Sequence, residues 1–176
     1  MKRFFRSALV GFFFIGILVS TARAETIQAT LIGYEEVPSV STVAHGEFRG
    51  FISRNNDSID YELTYDGLQG NVTQAHIHFG QRSVNGGIVL WFCGTMTNPG
   101  PAGTPLCTND SGHFTGTFTS GNVQGIGGGN VGQQLSAGEL AEVIRAIRAG
   151  SAYVNVHTTL SAGGEIRGQI SAAAKK

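Results

Sequence analysis

Apolar and polar residues alternate along most of this chain. Ile27, Ala29 and Leu31 share one parity, as do Ile59, Tyr61, Leu63 and Tyr65, with Asp60, Glu62, Thr64 and Asp66 between them. Ala75, Ile77 and Phe79 interleave with Gln74, His76 and His78. Phe114 with Phe118, Val154 with Val156, and Ile166 with Ile170 keep the same rhythm. A period of two is that of a strand with one face in a core and the other face outside it. Asn55-Asn56-Asp57, Asp66-Gly67, Asn85-Gly86-Gly87 and Ala162-Gly163-Gly164 separate the runs with turn residues. Short strands at this spacing predict an all-β domain, a Greek-key-like β-sandwich or barrel.

One segment breaks the rhythm. Leu140, Val143, Ile144 and Ile147 recur at i, i+3, i+4 and i+7, the stripe of an amphipathic helix. Ser136 and Glu139 ahead of it have the spacing of a capping box, in which hydroxyl and carboxylate satisfy the orphan amides of the first turn. Arg145 and Arg148 complement the negative end of the dipole, and Gly150 stands where a left-handed cap is needed. The domain should therefore carry one short helix, laid across an opening of the sandwich or barrel.

The first 24 residues follow neither pattern. Lys2, Arg3 and Arg6 precede an apolar run from Ala8 to Val19, and Ala22-Arg23-Ala24 offers a small-x-small cleavage site. A basic start, a short apolar run and such a site describe a signal peptide, residues 1–24, ahead of a β domain over 25–176. The run is shorter than the roughly 20 residues a membrane-spanning helix needs, so no span should remain after cleavage. This predicts an extracytoplasmic location, periplasmic or secreted. Removing the leader takes four of the 12 basic residues and none of the 12 acidic ones, for a net charge of −4. A mildly acidic domain lacks the basic footprint of a nucleic-acid or anionic-membrane binder. Export also bears on Cys93 and Cys107, an even pair flanking a loop rich in proline and glycine. In an oxidising compartment they should form a disulfide.

Gly127, Gly129 and Gly132 match G-x-G-x-x-G, but without the strand before and helix directly after that a dinucleotide site requires. No nucleotide cofactor is expected, and the stretch reads as a surface loop.

The histidines carry the remaining chemistry. In a strand His76 and His78 point the same way, opposite Ala75, Ile77 and Phe79, and His157 stands in the same relation to Val154 and Val156. Three imidazoles on the outward faces of neighbouring strands would converge on one transition metal, copper first and zinc second. His45, beside the predicted strand from Glu47 to Ser53, could complete the set, with His113 a weaker candidate. Glu35 and Glu36 could assist a cation. Glu165 and Arg167 should pair with each other or with neighbours across the sheet.

Ala75-His76-Ile77-His78-Phe79-Gly80, Asn85 to Val89, Leu140 to Gly150, Tyr153 to Thr158 and Gly163-Gly164-Glu165-Ile166-Arg167-Gly168-Gln169 occur in the order of a known family. Over roughly Ile27 to Ile170 the chain resembles the CHRD domain, found in the developmental regulator chordin and as single domains in microbial exported proteins. The resemblance implies an all-β fold and no defined activity. Gly67 to Gly80 is also similar to the strand of copper/zinc superoxide dismutase that carries two copper ligands, although that family's zinc loop has no counterpart between Gly80 and His113. These features favour a non-enzymatic exported module that binds a metal ion or an extracytoplasmic protein partner. The alternatives are a copper-only redox enzyme, with His76, His78 and His157 as ligands and Arg167 attracting superoxide, and a purely structural surface domain.

Overall fold

A computed structural model of the chain describes residues 25–127 and 132–172. The predicted leader, and Gly129 of the glycine-rich match, lie outside the described residues. The elements run β1 (Glu25–Ile32), β2 (His45–Ile52), β3 (Ser58–Asp66), β4 (Val72–Phe79), β5 (Gly87–Cys93), β6 (Gly112–Thr119), α1 (Leu140–Arg148), β7 (Ala152–Thr158), β8 (Ile166–Gln169) and β9 (Ser171–Ala172). The strands hydrogen-bond in the order β5-β4-β7-β8-β1-β2-β3-β6, with β9 beside β1, and every named pairing is antiparallel. The chain crosses from one end of this sheet to the other after β3 and returns after β5, which gives the Greek-key character expected of the pattern.

The alternation explains the layering. Ile27, Leu31, Phe48, Ile52, Ile59 and Leu63 point inward and are fully buried, while Gln28, Glu47, Arg49 and Asp60 on the same strands are exposed. Phe92 of β5 packs edge-on against Phe48 of β2 at 5.7 Å and Tyr61 of β3 at 5.1 Å, and lies 5.4 Å from Phe118 of β6. The two ends of the sheet are thus folded against each other around one core, a nearly closed barrel. Aromatic pairs of this kind contribute about 0.5–1.5 kcal/mol each beyond the area they bury.

Helix α1 turns Leu140, Val143, Ile144 and Ile147 into that same core. Gly150 follows it at φ +69°, and its amide donates to the carbonyl of Ile147. Only half of the expected capping box forms: the Glu139 carboxylate accepts the Ser136 amide at 2.7 Å. The Glu139 amide instead donates to the Ser136 carbonyl, and the helix starts at Leu140, three residues later than a box capped by Ser136 would start it, so Ser136 belongs to the preceding turn. Cys93 and Cys107 are joined as a disulfide, with Cα atoms 4.9 Å apart. It ties the end of β5 to the loop leading into β6. Among the described residues no helix is long and apolar enough to cross a membrane.

Strands β4 and β7 depart from the pattern of one wet face. Every residue of β7 is buried, and His76 and His78 of β4 are buried together with their apolar neighbours. Both faces of this part of the sheet are covered, and the covered outer face holds the chemistry.

Candidate metal centre

Register explains which side chains meet. In the β4–β7 pairing His76 lies opposite Asn155 and His78 opposite Tyr153, with His157 opposite Gln74. In the β7–β8 pairing Asn155 lies opposite Arg167 and Tyr153 opposite Gln169. Residues two apart on a strand share a face, so one surface of three strands carries the imidazoles, Asn155, Tyr153 and Arg167.

The three histidines face away from the apolar core and converge as the parity predicts, but the face they occupy is closed to solvent. His76, His78 and His157 are 0%, 7% and 6% exposed. Gly86 of the β4–β5 link closes over His78, Trp91 of β5 packs edge-on against His76 at 4.5 Å, Ala162 of the β7–β8 turn meets His157, and two irregular segments frame this face. Gly33–Glu35 forms a 3-10 turn running on to Glu36 and Val37, and Gln81 to Gly86 links β4 to β5. The two segments are joined at the surface by an Arg82–Glu35 ion pair and by the Asn85 amide, which donates to the Val37 carbonyl. Nothing in the strand periodicity announces such a cover.

His76, His78 and His157 are the three groups that come together, each offering one ligand atom within 4.8 Å of the others. His76 Nδ1 and His78 Nε2 are 3.1 Å apart. His78 Nε2 carries no proton, because its Nδ1–H is given to the Gly86 carbonyl, so this contact is His76 Nδ1–H donating to His78 Nε2, and an ion bound between the two nitrogens would take the place of that proton.

Tautomers follow from the partners. A carbonyl only accepts, so His78 Nδ1–H donates to the Gly86 carbonyl at 2.8 Å and His157 Nδ1–H donates to the Ala162 carbonyl at 2.9 Å. Each Nε2 then presents a lone pair to the interior, the arrangement backbone carbonyls impose on metal-ligating histidines. The Asn155 side-chain amide lies 3.1 Å from His157 Nε2, and because that nitrogen carries no proton the amide must turn its Nδ2–H toward it to donate. His76 Nε2 is buried with no hydrogen-bond partner. A buried orphan nitrogen is costly, and it marks His76 as the histidine whose protein contacts leave it least satisfied.

Burial sets the charge state. Desolvation, reinforced by the neighbouring imidazoles, pushes His76 down to about 2. Desolvation is also the main cause that takes His78 down to about 4, and it lowers His157. All three are neutral near pH 7, the form that binds metals. Glu36 approaches the cluster through Asn155, and desolvation raises its carboxyl to about 7 against the pull of Arg167. One of its oxygens is also without a partner.

The other candidates lie elsewhere. His45 is exposed at the start of β2, paired in register with Asp66 and separated from β4 by three strands, and it is not part of the cluster. His113 is exposed on β6 and meets Glu62 at 3.0 Å. Glu35 is taken up by Arg82. Glu165 and Arg167 engage neighbours rather than each other. Glu165 accepts from the Thr42 and Thr158 hydroxyls and the Gln69 amide at 2.8–2.9 Å. Arg167 is 1% exposed, its guanidinium turned to protein groups instead of solvent. Asn155 and Tyr153 escaped the sequence reading, although their parity with His157 places them on its face.

No curated protein and no solved structure matches this chain. The family model of the CHRD domain matches residues 27–170, all nine strands but the first two residues of β1 and the short β9. The chain therefore belongs to the CHRD domain family.

Proposed function

We propose that this protein is an exported metal-binding module that holds one transition ion on His76, His78 and His157, copper in preference to zinc. The observation that carries the reading is the convergence of three buried, neutral imidazoles. Two of them are held by backbone carbonyls with Nε2 facing inward, and the third has an orphan nitrogen. Imidazole donors suit copper, zinc, iron and nickel, and the Irving–Williams order ranks divalent copper as the tightest binder of a given nitrogen set. The disulfide and the leader pattern support export. Purified from its native host, the protein should begin at Glu25; a chain retaining residues 1–24 would contradict that part.

Calorimetry with copper and with zinc tests the site itself. The wild-type protein should take up one equivalent of either ion, copper more tightly, and the His76→Ala/His78→Ala variant should lose both. Equal weak binding by wild type and variant would remove the proposal.

A further inference from the structure

Beside the cluster, one aromatic ring is held from two sides. The His78 imidazole stacks on Tyr153 with 4.7 Å between centroids and 3° between planes. The Arg167 guanidinium lies over the same ring, 3.4 Å from its centroid. Two planar groups cannot share one ring face at those distances, so Tyr153 sits between them. Gly86 closes the unit: its amide donates to the Tyr153 hydroxyl at 3.2 Å, and its carbonyl accepts from His78 Nδ1. Arg167 also donates to the Val84 and Gln81 carbonyls and to Asn85 Oδ1, at 2.9, 3.2 and 3.2 Å. It therefore fixes the turn that presents Gly86. A Cβ at Gly86 would fall 1.8 Å from the Phe79 carbonyl oxygen, so no side chain fits where this backbone approaches β4.

We propose that Arg167 and Tyr153 are positioning residues that orient His78 and fix its Nδ1–H tautomer, so that Nε2 is delivered to the metal point before any ion arrives. This assigns Arg167 a task different from guiding an anion: its donors are spent on the Gln81–Gly86 turn and its face on Tyr153. A lysine has neither the planar face nor the fork, so only arginine fills both roles. The consequence for affinity rests on the metal-binding reading; the tautomer does not.

Two measurements separate these levels. In metal-free protein, long-range nitrogen-15 NMR should show the His78 proton on Nδ1, slow to exchange. Tyr153→Phe, which keeps the stack, should preserve that signal. Tyr153→Leu and Arg167→Lys should broaden it or mix the tautomers. Zinc titration should then give a dissociation constant 10- to 100-fold weaker for Tyr153→Leu and Arg167→Lys, the range expected when an outer support of a ligand is lost. Phe48→Leu, in the barrel core, serves as a destabilised control and should change neither readout. The proposal is overturned if the His78 tautomer and exchange survive in both Tyr153→Leu and Arg167→Lys, or if the Phe48 control shifts them equally. Failure of wild-type protein to bind zinc would overturn the metal reading while the tautomer data still decide the positioning.

Discussion

Metal-free protein should lose stability as pH falls from 7 to 5. Folded His76 and His78 resist protonation down to about 2 and about 4, because burial disfavours the charged rings, whereas both titrate near 6.5 when unfolded. Within that window the unfolded chain binds protons the folded chain refuses, so acid favours unfolding. His157 shifts in the same direction. Glu36 opposes them. Its folded value of about 7 stands above the ordinary carboxyl value of 4.5, so the folded chain takes up its proton first and gains from acid in the same window. Integrated from pH 7 to 5, the two histidines cost about 4 kcal/mol and Glu36 returns about 2, for a net loss on the order of 2 kcal/mol before His157 is added. Urea unfolding of chelator-treated protein at pH 5, 6 and 7 measures this directly. Trp91, the single tryptophan of the chain, lies 4.5 Å from His76 and reports the transition. Glu36→Gln removes the opposing group and should steepen the pH dependence. Unchanged or rising stability on acidification would refute the buried, neutral state of the histidines.

Two further predictions concern the frame around the site. Reducing Cys93–Cys107, or replacing both cysteines with serine, should lower stability by about 3 kcal/mol, read from denaturant midpoints under oxidising and reducing conditions. Glu165→Ala strands the Thr42 and Thr158 hydroxyls and the Gln69 amide, and should cost about 3–5 kcal/mol in thermal or denaturant unfolding.

Much of the barrel was legible because one-sided burial writes itself into parity: Ile27, Phe48, Ile59 and Leu63 are inward where alternation places them. Parity also put His76, His78 and His157 on faces opposite the apolar core. It could not say that this outer face is covered. The groups against the histidines are Gly86, Trp91 and the Ala162 turn, and the Gln81–Gly86 link that carries Gly86 has no period and owes its position to Arg82–Glu35, Asn85–Val37 and the Arg167 fork. Nor could it rank His45 against His157. Both sit on strands, but β7 pairs with β4 while β2 stands four places away in the sheet, and strand order is a long-range property. Asn155 and Tyr153 could have been found by extending the parity of His157 two and four residues back.

The most direct test of the metal centre is X-ray absorption at the copper or zinc edge on protein loaded with one equivalent of ion. The geometry predicts a shell containing three imidazoles, with nitrogen at about 2.0 Å and the outer scattering of histidine rings. A shell of oxygens without imidazole scattering would contradict it.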